Sequence, residues 1–501
     1  MAAAGAAQPL RPERAAILLV AASTAFHVWY AGLLELSPQE AYYRLWAGRL
    51  DWSYYDHPPL AAWTIRAAVA LLGDSVRAIR AAAALHSTLL ALFLFLLARR
   101  LLGGRGALLA LGAALLTPLF ALGQVVITPD VPLLAAWTAA AYFTVRALDE
   151  ERGAWLLAAG LATGLAALSK YTGWLLAPQI FLALLLDARG RRLLRGPFPW
   201  LGLALALAAF APVVLWNARH GWMSFGFQFG QRAAAVASPS LVRVLRFAGL
   251  QLLVPTPLLA AVLLAAAFAA LRRLREPAFR IGALFSVPAL ALFAAVSPFA
   301  WVKGNWPAPA WPGAMVAAAA FFLEAPERFR ALARWALGTA AVLTAYVHLA
   351  AAVPALPYPA RDDTTRGWRA LAARVQVERE RIGPDAFVVG CYYKPAALLA
   401  YYLPDRPRTH SSEALGGNGL QFRVWQEPGA LEGREGVVVV DSRDGDGWCP
   451  ERERRCRPLV ELAPLAVERE GMWTLGGLLS PRVATFRLWR CRYADGGAGT
   501  R

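Results

Sequence analysis

The chain has 501 residues, 58% of them hydrophobic and 17% charged, with 51 Lys and Arg against 33 Asp and Glu for a net charge of +18. So apolar a composition excludes disorder and collagen-like repeats, and four cysteines in this length exclude a small disulfide scaffold. The basic excess raises nucleic acid as a partner, but the arginines fall in short bursts between apolar runs of roughly 17–25 residues, the length that crosses about 30 Å of hydrocarbon, so a polytopic α-helical membrane protein with no nucleic-acid partner is expected.

About eleven spans follow in chain order, near 14–34, 77–97, 106–125, 132–148, 154–169, 172–187, 200–217, 247–271, 281–297, 308–323 and 331–353. The first has no small-residue cleavage site and many others follow it, so it reads as a retained helix. Between the spans, arginine-rich connections (Arg99, Arg100 and Arg105; Arg189, Arg191, Arg192 and Arg195; Arg272, Arg273, Arg275 and Arg280) alternate with connections rich in Trp, Tyr, Pro and carboxylates. The positive-inside rule places the first kind, and the N-terminus, in the cytoplasm. An odd number of spans then leaves the C-terminal part outside.

The first outer connection, about 35–76, carries SPQEAYYRLWAGRLDWSYYDHPPLAAW from Ser37 to Trp63. Glu40, Asp51, Asp56 and His57 lie there among seven Tyr and Trp residues. Such aromatics favour the headgroup level, and a carboxylate held beside them suits a general base or a metal ligand; an aromatic belt with solvated charges is the competing account. In ITPDVPL, Asp130 sits between two prolines that stiffen the turn, where it reads as a held carboxylate or as an ordinary helix cap. In LSKYTG, Lys170 and Tyr171 are flanked by apolar helices; the ammonium needs an anion such as phosphate, or snorkels to the headgroups. The connection at about 218–246 brings Arg219, His220 and Arg232 among aromatic and Gly residues, as a substrate-contacting lid or a plain interfacial loop. WVKGNWPAPAWPG adds Lys303 and Asn305 to the same side, equally suited to a stiff structural re-entry.

From about residue 358 the apolar runs stop after a Pro-rich link, and the chain divides into a membrane part, 1–355, and a soluble part, 356–501. β-type runs at 386–390, 437–440 and 484–489 alternate with helix-like stretches at 366–380 and 395–402, which predicts a small α/β domain. Cys449 and Cys456 in CPERERRC suggest a local disulfide or two free thiols. The unusual carboxylates, lysines and histidine-bearing loops all fall on the outer side, which favours a site at the membrane surface over a pathway through it. A secondary transporter or lipid flippase, which keeps ionisable groups at mid-membrane and often has repeated halves, is the alternative; no repeat is visible, and His86 is the nearest mid-helix polar group.

The segment QEAYYRLWAGRLDWSYYDHPPLAAW, followed by GDSVRAIRA, TPDVPL, LSKYTG and NWPAPAWPG, resembles bacterial glycosyltransferase family 39 proteins, relatives of the protein O-mannosyltransferases and of the lipid A aminoarabinose transferase. The resemblance covers about residues 10–350 and implies a GT-C type fold with the C-terminal domain periplasmic, in the bacterial inner membrane. It also implies transfer of a sugar from a polyprenyl-phosphate donor to a lipid, glycan or protein acceptor on the outer face, with inversion. Relatives take the catalytic carboxylate from an acidic pair in the first loop; here the pair reads Gln39-Glu40, so Glu40 or Asp56 must serve, with Glu40 the first choice. Asp56-His57-Pro58-Pro59 matches the family's acidic-basic-Pro-Pro motif near the carrier phosphate or a metal, Asp130 the aspartate of the second outer loop, and Lys170 the lysine of its SKY motif. A divalent metal at Glu40, Asp56 and His57 is compatible with this, although no tight ligand spacing demands one. Lys170, Arg219 or Arg232 is then expected to supply positive charge to the anionic leaving phosphate.

Overall fold

In a computed structural model the described residues are 10–231, 238–427, 429–444 and 455–494, and they divide into two compact units. The first comprises Met1–Trp29, His57–Ala61 and Arg80–Ala345; the second comprises Tyr30–Asp56, Ala62–Ile79 and Tyr346–Arg501. Most of the first outer connection therefore clusters with the C-terminal residues.

Five helices among the described residues are long and apolar enough to cross a membrane: Val76–Leu115, Asp130–Glu150, Phe198–Arg219, Pro277–Val296 and Glu327–Ala352. Two bent pairs raise the number to seven if each is one span, Tyr171–Leu185 with Ala188–Leu194 at 117° and Leu241–Leu253 with Pro257–Arg273 at 102°. The difference from eleven expected runs has local causes. Runs 77–97 and 106–125 begin as one 40-residue element, kinked at Gly103, whose φ of 73° only glycine adopts cheaply. Trp155–Ser169 and Ala310–Glu324 are apolar but 15 residues long. The bend before Pro257 follows from Pro255 and Pro257, which withhold backbone donors. Leu201, Leu205, Leu207 and Leu215 stand exposed on Phe198–Arg219, a surface suited to hydrocarbon.

Within the first unit the helices approach closely where side chains are small. A Cβ on Gly160 would strike the backbone of Gly202, so Trp155–Ser169 and Phe198–Arg219 meet backbone to backbone. At one end of several helices the arginines are tied to acids: Arg99 to Glu13 at 2.5 Å, Arg100 to Glu150 at 2.5 Å, Arg192 to Glu151 at 2.6 Å, Arg280 to Asp187 at 2.5 Å and Arg273 to Glu324 at 2.5 Å. Glu150 ends the 21-residue helix that Asp130 begins. At about 1.5 Å rise per residue, these two acids are separated by roughly 30 Å, the thickness of a hydrocarbon core.

The second unit contains a four-stranded sheet, β1 (Phe387–Gly390), β2 (Glu435–Asp441), β3 (Cys456–Glu468) and β4 (Arg482–Tyr493), in the order β1-β2-β4-β3. β1 and β2 are parallel, and the remaining pairs are antiparallel. Val437, Val438, Val439 and Val440 are all buried, as in a strand covered on both faces. Helices Trp368–Ile382 and Tyr393–Tyr402 fall where helix-like stretches are expected, and the rings of Trp368 and Phe486 lie 5.3 Å apart. β3 escapes prediction because Pro458 and Pro464 interrupt its alternation; its register shifts at both, which an edge strand tolerates. The expected Cys449–Cys456 pairing is replaced. Cys456 is bonded to Cys491, with Cα atoms 5.6 Å apart on neighbouring strands, while Cys449 lies outside the described residues. Non-reducing peptide mapping should therefore recover a cross-linked pair holding Cys456 and Cys491, and recovery of Cys456 linked to Cys449 would contradict it.

Candidate functional site

In the first unit, three connections between helices converge on one carboxylate. Pro129 directly precedes Asp130, which opens the helix Asp130–Glu150 and so sits where the positive end of the helix dipole favours an anion. Lys170 closes the helix Trp155–Ser169 in an extended conformation, its N–H bonded to the Ala166 carbonyl, where the dipole favours a cation. Lys170 Nζ donates to Asp130 Oδ1 at 2.8 Å, and Asn305 Nδ2 donates to Asp130 Oδ2 at 2.8 Å. Asp130 and Lys170 are 9% and 8% exposed, so the pair is largely withdrawn from water. With both Asp130 oxygens engaged, the aspartate is an anchor. A lysine has three N–H donors and the anchor accepts one, leaving two for an anion. The ammonium also lies 5.8 Å from the centre of the Trp306 ring.

Beside this cluster, residues 217–225 form a reversal of the chain. Tyr171 and Ser224 share a hydroxyl–hydroxyl hydrogen bond of 2.6 Å. Gly221 and Trp222 both adopt positive φ, 60° and 59°, and reverse the chain. Asn217, fully buried, holds that reversal: its Nδ2 donates to the Val213 carbonyl at 2.9 Å and its Oδ1 accepts from the Phe225 N–H at 3.1 Å. His220 is stacked on Trp216 at 4.0 Å and its Nδ1 is 2.8 Å from the Trp216 carbonyl, so it is occupied with its own helix. Arg219 and Lys303 are exposed. Arg232 lies outside the described residues.

The carboxylates of the first outer connection, in the second unit, have different surroundings. Ser37 and Glu40 form a capping box at the start of helix Pro38–Gly48: the Ser37 hydroxyl accepts from the Glu40 N–H at 3.4 Å, and Glu40 Oε2 accepts from the Ser37 N–H at 2.9 Å. Glu40 is fully buried, with its carboxylate bonded to the helix start. Asp56 is 7% exposed and accepts from the Tyr42 hydroxyl at 3.0 Å; that hydroxyl in turn accepts from the Gln421 N–H at 2.9 Å. Gln421 Oε1 accepts from the Tyr55 N–H at 2.7 Å, so this residue, invisible to sequence reasoning, fixes both sides of the aspartate. Burial, then the charge of Asp56, raise the Tyr42 phenol well above its ordinary value, so it remains the donor.

Of the aromatics in this segment, Tyr42, Tyr43, Trp46, Tyr54 and Tyr55 are buried, whereas Trp52 is 44% exposed. Tyr42, Trp46, Tyr54 and Tyr55 are at most 4% exposed, Trp46 stacks on Tyr54 at 4.2 Å, and Tyr42 meets Tyr393 at 4.6 Å. His57, half-buried, belongs to the first unit and precedes Pro58, Pro59 and the helix Leu60–Leu72. Among the described residues no three His, Cys, Asp or Glu side chains come together to hold a metal ion.

Residues 56–216 match the family described as dolichyl-phosphate-mannose-protein mannosyltransferase. The chain is 28% identical over 315 residues to the lipid A galacturonosyltransferase RgtD of Rhizobium johnstonii, a match spanning 61% of this chain and 66% of that protein's length. Its fold is similar to that of ArnT from Cupriavidus metallidurans, solved bound to undecaprenyl phosphate (TM-score 0.65, 17% identity) and in the apo state (TM-score 0.66, 15% identity), each comparison covering 94% of this chain and 97% of that one. The fold is thus the GT-C fold, and the family match and the RgtD relative make the chain a glycosyltransferase.

The geometry of the anchor makes a stability prediction. Asp130→Ala leaves a buried ammonium without its partner and should lower resistance to denaturant unfolding in detergent by about 3 kcal/mol. Asp130→Ala combined with Lys170→Met should lose less than the sum of the two single losses; a loss equal to that sum would show that the two groups are uncoupled.

Proposed function

We propose that the chain is an integral-membrane glycosyltransferase that moves a sugar from a polyprenyl-phosphate donor to a lipid, glycan or protein acceptor at the periplasmic face of the bacterial inner membrane, with inversion. The observation that carries this reading is the anchored Lys170, a fixed ammonium at the ends of apolar helices with two donors to spare. A polyprenyl phosphate presents its charge at just such a boundary, where tail and head separate. The likeness to an ArnT solved with undecaprenyl phosphate supports the donor, and the likeness to a lipid A galacturonosyltransferase favours a lipid among the acceptors.

The reaction breaks the bond between the sugar's anomeric carbon and the phosphate oxygen while the acceptor oxygen attacks from the opposite side. The electron pair leaves with the phosphate, which is already anionic and needs positive charge more than a proton; the Lys170 ammonium supplies it. The acceptor hydroxyl gives its proton to a carboxylate. We assign that role to Asp56, because Glu40 is spent on its helix start, whereas Asp56 is positioned by a hydrogen bond from the Tyr42 phenol. The arginine ion-pair belt, about 30 Å from Asp130, supports placing the belt in the cytoplasm and Lys170 at the outer face.

In membranes supplied with a polyprenyl-phosphate sugar, Lys170→Gln should reduce turnover by about 10²–10³, and Asp56→Asn by about 10²–10⁴. Near-wild-type turnover of both variants would sink the assignment. Glu40→Gln keeps an oxygen for the Ser37 N–H and should preserve both folding and turnover, whereas Glu40→Ala should cost about 1 kcal/mol of stability. A folded Glu40→Gln protein without turnover would return the base to Glu40.

A further inference from the structure

The second unit holds a cavity of about 230 Å³ that the reaction above does not use. It is smaller than the roughly 300–1,000 Å³ of pockets that enclose drug-sized ligands, so it suits a single sugar or anionic head. Four arginines line it: Arg44, Arg49, Arg406 and Arg408. Arg44 and Arg406 share the carboxylate of Asp74, and Arg408 pairs with Glu427. Arg406 has a φ of 46°, unusual for a residue with a side chain, so the Arg406-Pro407-Arg408 turn is held against its backbone preference. Arg49 makes no ion pair among the described residues; its guanidinium lies 4.8 Å from the centre of the Trp425 ring.

Negative charge in and around the cavity does not cancel this. Asp74 and Glu427 are two carboxylates against four guanidinia. Glu413, also in the wall, is 4% exposed; its Oε1 accepts from the Ser411 N–H at 3.0 Å while Oε2 has no partner among the described residues. Burial pushes its carboxyl up to about 7, so near neutrality it is only partly ionised. His410 is pushed down to about 4, chiefly by burial, and adds no charge. Burial, and then Arg408, lower the Arg49 pKa. The rings of Tyr401, Phe422 and Trp425 supply flat apolar walls.

Guanidinium forks match the oxygens of phosphate, and aromatic faces match the C–H face of a pyranose. We propose that this cavity binds a sugar phosphomonoester, with Arg49 and Arg408 taking the phosphate and the aromatic walls taking the sugar. As a candidate subsite for a phosphorylated glycolipid acceptor, it rests on the transferase reading; as a binding site, it stands without it.

Full-length protein in neutral-lipid nanodiscs, titrated calorimetrically with glucose 1-phosphate, glucose and inorganic phosphate, tests the proposal. Glucose 1-phosphate should bind saturably and more weakly as salt rises. Arg49→Gln should weaken it about tenfold or more, and Arg49→Lys should fall between the two, which separates lost recognition from lost folding. Trp425→Leu should weaken the sugar phosphate while leaving inorganic phosphate unchanged. Competition by vesicles carrying a phosphorylated glycolipid would identify a lipid headgroup as the source of the ligand; competition by free sugar phosphate alone would identify a soluble one. No saturable binding, or equal binding by wild type and Arg49→Gln, overturns the proposal, and phosphate binding as tightly as the sugar phosphate overturns its sugar part. Lys170→Gln should retain this binding while losing turnover, so failure here and failure of the transfer reading can be told apart.

Discussion

A charge inside an apolar bundle must have a partner, and in this protein that constraint is met at Asp130. Its two oxygens take an ammonium from one connection and an amide from another, so a single buried carboxylate joins the starts and ends of three helical segments. Desolvating an isolated carboxylate or ammonium costs several kcal/mol, and the pairing recovers that cost only with the remaining lone pairs satisfied, as they are here. The helix dipoles act in the same sense, since Asp130 is at a helix start and Lys170 at a helix end. What remains is a lysine whose position is fixed but whose donors are not exhausted.

The second unit solves a related problem with different means. Its first-loop segment packs aromatic rings instead of aliphatic chains, and a phenol carries the polar connection that a charged partner supplies at Asp130. Burial keeps Tyr42 protonated, so it can donate to Asp56 while accepting from the Gln421 N–H. Glu40, in the same segment as Asp56, accepts instead from the free Ser37 N–H at a helix start. Two carboxylates thus serve different ends within one motif, and local backbone need decides which.

Much of the first site was legible in the sequence because each of its members is anomalous in its own surroundings. Asp130 between prolines, Lys170 between apolar runs and Asn305 in a Trp-Pro-rich turn each stand out alone. Their convergence was not legible, since Asp130 and Asn305 are 175 residues apart and nothing local specifies the approach. Tyr42 and Gln421, 379 apart, were missed for the same reason. The apolar runs marked the membrane-suited helices, but hydropathy does not report where a helix bends, so Gly103 and the prolines near 255 changed the number of elements. β3 hid behind two prolines, and the pairing of Cys456 with Cys491 depends on strand adjacency that spacing in the chain cannot express.

Lysine at one anion-suited place and arginine at the other is a consistent division of labour. At Lys170 the surroundings are apolar and the exposure is 8%, so a compact point charge needs only one anchor and can turn its other donors freely. A guanidinium there would bring five donors into a space that offers few acceptors, and each unmet donor would add its own desolvation cost. In the cavity lined by Arg44, Arg49, Arg406 and Arg408 the balance is reversed. Half-open walls and neighbouring carboxylates satisfy the surplus donors, and aromatic rings such as Trp425 support a planar cation but give an ammonium less surface to lie on. The choice of basic residue therefore follows from the acceptors and surfaces each place provides, and exchanging the two types would leave unmet donors at the first and an unsupported charge at the second.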